Sequence, residues 1–213
     1  MVRIDIYSDT VCPWCVIGKR RLERALATRE GLEVSIKWHG FQLNPDMPAE
    51  GMSRAHYLAS KFGAPDRAAS VYAIIERAGH LERIPFDFES IECMPNTVQS
   101  HRLIRYADRE GKQEALVEAL FKAFFLDGED IGNDETLKRI AVTQGLERDA
   151  VAHFLAGDED RDTVMAEDIR ARRMGISAIP CYIVNGDYAI SGAQEPEAFY
   201  PLLDLANIAV AAE

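Results

Sequence analysis

Residues 1–15 read Met-Val-Arg-Ile-Asp-Ile-Tyr-Ser-Asp-Thr-Val-Cys-Pro-Trp-Cys, and this stretch decides the fold. Over 2–8, apolar residues alternate with others at the period of two that is typical of a β-strand. Pro13 fits the first turn of a helix, and the apolar positions after it recur at helical spacing. Alternation returns over 32–38. The sequence therefore predicts a strand, a helix that ends by Gly31, and a second strand.

From Asn44 onward the pattern changes to helical periods with hardly any strand signal. The predicted helices lie near 53–62, 65–78, 97–110, 112–126, 134–143, 148–156 and 160–174. Two β-rich runs, 179–184 and 187–191, then flank Asn185-Gly186, a strong hairpin signal. A closing helix is expected from Glu195 to Ala212. We therefore predict an α/β fold in which a helical insertion, 44–174, divides a small β/α domain into 1–43 and 175–213.

Composition excludes several classes of partner. The formal net charge of −11 repels nucleic acid and anionic membranes. The apolar runs are too short to span a bilayer, and the N-terminus lacks the basic start and apolar stretch of a secretory signal. We therefore expect a cytoplasmic protein that binds neither nucleic acid nor membrane. Four cysteines in a chain of 213 residues do not make a disulfide scaffold, so their spacing must indicate their use.

The pair Cys12 and Cys15 lies between the first strand and the first helix, the context in which a Cys-x-x-C motif indicates redox chemistry. Free backbone N–H groups and the helix dipole favour a thiolate at Cys12. Cys15 follows on the next turn, close enough to form a disulfide but less able to reach solvent. We expect Cys12 to attack a substrate disulfide and Cys15 to resolve the mixed disulfide.

A Cys-x-x-C pair can also be half of a zinc site, or two inert buried thiols. Zinc would need two more ligands at compatible spacing, and Cys93 and Cys181 form no second pair. The histidines are scattered without a metal-ligand repeat, at His39, His56, His80, His101 and His153. We therefore favour a redox pair that requires no metal and no cofactor.

Four motifs occur in a familiar order: 9–15 with Gly18, Phe-Gln-Leu-Asn-Pro at 41–45, Pro-Asn-Thr at 95–97 with His101-Arg102, and Gly-Ile-Ser-Ala-Ile-Pro at 175–180. In these motifs the chain resembles DsbA-family oxidoreductases of the FrnE-like branch, over nearly its whole length. The resemblance implies a thioredoxin-like fold interrupted by an all-helical insertion domain. This agrees with the division predicted from the pattern alone.

The resemblance also implies that Pro180 follows a cis peptide bond and faces the cysteine pair. An extended substrate could then pair with the backbone at Ile179, beside Cys12. We therefore expect Pro13, Trp14, Ile179 and Pro180 to bind substrate. The expected substrates are protein or small-molecule disulfides and thiols, with glutathione or another low-molecular-weight thiol among them.

The sequence supports further expectations for residues near the pair. Asp9 is expected to cap the first helix, and Gly18 to allow close packing of that helix. The basic run 19–21 should be a solvated face. Cys181 should point into the core because side chains alternate along a strand, and we assign His101 no catalytic role.

Two other functions remain open. Glutathione-dependent 2-hydroxychromene-2-carboxylate isomerases and kappa-class transferases share this divided fold, but typically carry serine at the position of Cys12 and lack the second cysteine. A non-catalytic binding or chaperone-like module is the third. A cytosolic glutathione poise of roughly −220 to −320 mV would favour reduction or isomerisation of disulfides over oxidation. Reduction of insulin disulfides would distinguish the three.

Overall fold

The computed structural model describes residues 1–211. Its N-terminal unit comprises β1 (Val2–Ser8), α1 (Pro13–Ala27) and β2 (Val34–Gly40). The two strands are parallel, in a register that pairs Val2 with Val34. The predicted strand, helix and strand are therefore confirmed.

The second strand begins two residues later than predicted. Leu32 still belongs to the turn after α1, where its N–H donates to the carbonyl of Arg29. Gly31 has φ 80°, in the left-handed region that glycine adopts without strain. The chain therefore needs these residues to reverse direction before it can join the sheet.

Seven helices follow within the insertion, and all were predicted. They are α2 (Arg54–Phe62), α3 (Pro65–Leu81), α4 (Val98–Arg109), α5 (Gln113–Phe125), α6 (Asp134–Thr143), α7 (Arg148–Ala156) and α8 (Arg161–Arg173). α6 and α7 have the predicted bounds because both begin at a capping side chain. Asn133 accepts N–H groups of the first turn of α6, and Glu147 does so for α7.

The insertion also contains a short pair of strands that the sequence did not reveal. β3 (Met52–Ser53) pairs antiparallel with β4 (Cys93–Met94). Apart from this short pair, the insertion is helical, as predicted. Strands of two residues are too short to show an alternating pattern, so periodicity could not have found them.

The C-terminal segment returns to the sheet as a hairpin. β5 (Cys181–Val184) pairs antiparallel with β1 and with β6 (Tyr188–Ser191), so that the sheet order is β2-β1-β5-β6. Residues 185–187 connect the strands, and Asn185 and Gly186 have φ 51° and 81°, the positive values that tight hairpins use. The sheet thus contains strands from both the N-terminal and the C-terminal segment. The precise limits of the three segments stay a prediction.

The expected closing helix is divided. A short 3-10 helix (Pro196–Ala198) precedes α9 (Tyr200–Ala211). Pro201 has no N–H to donate and is tolerated only in the first turn, so α9 begins just before it. The predicted end at Ala212 lies outside the described residues. None of the helices within 1–211 has the length and apolar character of a membrane span.

Candidate active site

Cys12 occupies the N-cap position of α1, and Pro13 lies in the first helical turn, as predicted. The backbone of Cys12 is extended, with φ −95° and ψ 109°. The first turn contains no acidic side chain that would offset the positive end of the helix dipole. Free N–H groups and an uncompensated dipole favour negative charge at this position, which suits a thiolate.

Cys15 lies one turn further along α1, and its N–H donates to the carbonyl of Cys12 at 3.0 Å. Burial raises the pKa of the Cys15 thiol well above its ordinary value, and the hydrogen bond between the two cysteine side chains adds to the effect. Both thiols are free. Cys15 is therefore a neutral thiol at ordinary pH and can donate its hydrogen bond to the sulfur of Cys12.

Cys12 borders a cavity of about 340 Å³ between α1 and the insertion. Its residue exposure is 3%, and that of Cys15 is 1%. Pro13, Trp14 and Ile179 line the same cavity, so three of the four predicted substrate-binding residues meet there. Most of the remaining wall residues belong to the insertion.

Pro180, the fourth of these residues, lies deeper. The bond between Ile179 and Pro180 is cis, as the resemblance implied. A Cβ atom on Gly18 would lie 2.8 Å from Cγ of Pro180 and would also overlap the hydroxyl of Tyr182. Gly18 therefore allows the start of β5 to pack directly on α1, one turn beyond Cys15, as expected.

Asp9 does not cap α1, contrary to expectation. Its carboxylate is fully buried, accepts the N–H of Leu43 at 2.7 Å and contacts Nε2 of His101 at 3.2 Å. These bonds join the loop before Cys12 to α4 and to a cavity residue, Leu43. No local pattern could show a contact between residues 92 positions apart. The His-Arg pair of the family motif was the only available signal.

The basic run on α1 is not a solvated face. Lys19 is 5% exposed, and its Nζ lies 2.8 Å from the carboxylate of Glu114. Arg21 is also buried and donates to Glu82 at 2.9 Å. The acidic partners lie on α5 and at the end of α3, so these bases are already paired and hold α1 against the insertion.

The other two cysteines lie in the two sheets, Cys181 on β5 and Cys93 on β4. Cys181 is 2% exposed and accepts a hydrogen bond from Ser191 at 3.5 Å, so the expected core position is confirmed. Cys93 is half-buried on β4. Within residues 1–211, no cluster of three or more histidine, cysteine or acidic side chains is arranged to hold a metal.

Solved structures share this architecture. A 2-hydroxychromene-2-carboxylate isomerase superposes with a TM-score of 0.69 at 20% identity, covering 98% of this chain and 96% of the isomerase. The cytosolic disulfide reductase DsbM of Pseudomonas aeruginosa, solved with GSH, has a TM-score of 0.65 at 15% identity and covers 99% and 98% of the two chains. At these identities, both similarities show the fold alone.

A structure of a probable DsbA oxidoreductase from Streptomyces coelicolor is more similar. It has a TM-score of 0.87 at 30% identity, covering 97% of this chain and 90% of that one. The model of the DSBA-like thioredoxin domain matches residues 3–204. The chain therefore belongs to the family of DSBA-like thioredoxin domains.

Proposed function

We propose that this protein is a thiol-disulfide oxidoreductase that uses Cys12 as the attacking thiolate and Cys15 as the resolving thiol. The observation that carries the proposal is the position of Cys12, at the uncapped N-terminus of α1 beside a protonated, buried Cys15. Membership of the DSBA-like family supports the same general chemistry.

The reaction proceeds in two exchanges. The Cys12 thiolate attacks one sulfur of a substrate disulfide, the substrate S–S bond breaks, and the other substrate sulfur leaves as a thiolate. Cys15 then loses its proton and attacks the sulfur of Cys12, which releases the second substrate thiolate. The enzyme dithiol is thereby oxidised by two electrons and the substrate disulfide is reduced, and the reverse sequence oxidises a dithiol.

The substrates we propose are disulfides or thiols of proteins or small molecules. Glutathione is one candidate, since a protein of the same fold was solved with GSH. A cytoplasmic location stays a prediction. In that compartment the reducing poise would return the Cys12–Cys15 disulfide to the dithiol and favour reduction or isomerisation of substrates.

The second candidate is a glutathione-dependent isomerase or transferase, which the similarity of fold to the isomerase keeps open. Such an enzyme activates glutathione and needs no resolving cysteine. The hydrogen-bonded thiol of Cys15 behind Cys12 favours disulfide exchange instead.

Reduction of insulin by dithiothreitol tests the proposal. The wild-type protein should accelerate the reaction and Cys12→Ser should not, whereas Cys93→Ser, at a half-buried cysteine outside the site, serves as the matched control and should retain full activity. Acceleration by Cys12→Ser equal to that of the wild type would refute the proposal. Absence of disulfide exchange by the wild type with both insulin and a small disulfide, glutathione disulfide, would favour the isomerase.

A further inference from the structure

Two basic side chains of α2 line the cavity that Cys12 borders. Arg54 and Lys61 are two turns apart on one face of the helix, with Tyr57 between them. All three border the same space as Cys12 and Trp14. Positive charge is thus placed on the wall of the cavity that Cys12 borders.

Neither cation is paired with a carboxylate among the described residues, although the chain has 35 acidic residues for 24 basic ones. The guanidinium of Arg54 lies 4.7 Å from the ring centroid of Tyr72 and 5.8 Å from that of Phe88. Lys61 donates to the hydroxyl of Tyr57 at 2.6 Å and to Oδ1 of Asn44 at 3.5 Å. By contrast, the bases of α1 all contact carboxylates. Arg54 and Lys61 are therefore held by neutral groups and remain available to an anion.

The rest of the cavity is apolar. Aromatic and aliphatic side chains form its walls, among them Phe62, Ile75, Phe88, Ile91, Met94 and Phe124. Ligand sites of about 300 Å³ and upward hold small organic molecules, so about 340 Å³ is at the lower end of that range. These walls favour a compact ring or hydrocarbon body, since such a body leaves no polar group unpaired against them.

We propose that this cavity selects small disulfides with an aromatic arm that carries a carboxylate. The carboxylate binds Arg54 and Lys61, the ring packs on the apolar walls, and one sulfur lies at Cys12. Attack by the Cys12 thiolate joins that arm to the enzyme and releases the other arm as a thiolate, after which Cys15 displaces the bound arm. The inference rests on the proposed function and specifies its substrate class.

The limited access to Cys12 supports a small substrate. The exposed fraction of Cys12 is 3%, which leaves little surface for a folded protein to contact. Cys12 borders the cavity, so a molecule bound in the cavity can lie against it. An extended protein segment could still place one acidic or aromatic side chain in the cavity. This is the alternative that the experiment must distinguish.

The test uses two probes that differ in charge, the disulfide of para-mercaptobenzoate and the disulfide of its methyl ester. Stopped-flow absorbance gives the rate constant of the reduced protein with each probe. Each rate constant is divided by the rate constant of 2-mercaptoethanol with the same probe. This ratio corrects for the difference in intrinsic reactivity between the two probes. We expect the wild type to prefer the carboxylate probe.

Arg54→Met should lower the normalised rate with the carboxylate probe about tenfold, which corresponds to about 1.4 kcal/mol, and should leave the rate with the ester nearly unchanged. Arg54→Lys should react faster with the carboxylate probe than Arg54→Met, because it retains the positive charge. Lys61→Met should also lower the normalised rate with the carboxylate probe. Arg77→Met is the matched control, since it removes the same charge from an exposed position of α3 outside the cavity. Circular dichroism establishes that each variant is folded.

Equal losses with both probes, or an equal loss in Arg77→Met, would overturn the inference, because the effect would then be structural or a result of net charge. The inference would also be overturned if Arg54→Met lost as much activity in insulin reduction as with the carboxylate probe. The cavity would then bind peptide substrates. Failure of the proposed function gives a different result from failure of this inference. In that case Cys12→Ser would react with both probes as fast as the wild type.

Discussion

Replacing Gly18 by alanine should weaken the contact that fixes the cysteine pair against β5. The added Cβ would lie 2.8 Å from Cγ of Pro180 and would overlap the hydroxyl of Tyr182, whereas ordinary contacts begin near 3.4 Å. Overpacking of this kind costs about 1–3 kcal/mol, and the higher helix propensity of alanine offsets up to about 1 kcal/mol. With the full offset, we therefore expect a net loss of up to about 2 kcal/mol in the free energy of unfolding.

Tyr182→Phe separates the two sources of overlap. Tyr182 is fully buried, and its hydroxyl has no hydrogen-bond partner among the described residues. Removing an unsatisfied hydroxyl should leave stability unchanged or raise it by about 1 kcal/mol. It also removes one of the two atoms that the new methyl group would strike, so Gly18→Ala should cost less in the Tyr182→Phe background, by about 1 kcal/mol.

Urea unfolding of the four proteins in this double-mutant cycle measures the coupling. Tyr188→Phe in β6 is the matched control, because Tyr188 is not among the neighbours of Gly18 and should show no coupling. Additive effects of Gly18→Ala and Tyr182→Phe, or a clear loss of stability in Tyr182→Phe alone, would refute the packing described at this contact.

Three further outcomes follow from the site. His101→Leu should lower stability by about 1–3 kcal/mol in urea unfolding, because the buried carboxylate of Asp9 loses a hydrogen-bond partner; an unchanged midpoint would contradict this role. Cys181→Ala should leave insulin reduction unchanged, because the side chain lies in the core, and a marked loss of activity would place it in the site. In Cys12→Ser, the rate of alkylation of Cys15 by iodoacetamide should still increase as the pH rises above 9.0. Burial raises the pKa of this thiol above that ordinary value, so the reactive thiolate forms only at higher pH. A rate that levels off below pH 9.0 would contradict the raised pKa.

Local pattern was sufficient for most elements of the fold. α6 and α7 begin at capping side chains, and the hairpin turns at Asn185-Gly186, so each boundary is fixed by chemistry within a few residues of it. The pair β3 and β4 was missed because its stability depends on residues about 40 positions apart in the chain and leaves no local period.

The candidate site was predictable only where its chemistry is local. Cys12 precedes α1 at its N-cap and Cys15 lies in its first turn, so their positions followed from the strand and the helix around them. The bond between Asp9 and His101 and the pairing of Lys19 with α5 depend on how the insertion packs on the sheet. Spacing along the sequence holds no information on such contacts. The cavity was not foreseen for the same reason.

Trapping the mixed disulfide tests the central claim most directly. Cys15→Ser would be incubated with glutathione disulfide, digested without reductant, and its peptides examined by mass spectrometry. We expect one glutathione adduct, on Cys12, which dithiothreitol removes; the wild type treated in the same way should yield the Cys12–Cys15 disulfide instead. An adduct found on Cys93 with Cys12 unmodified, or no adduct at all, would contradict the assignment of Cys12 as the attacking thiol.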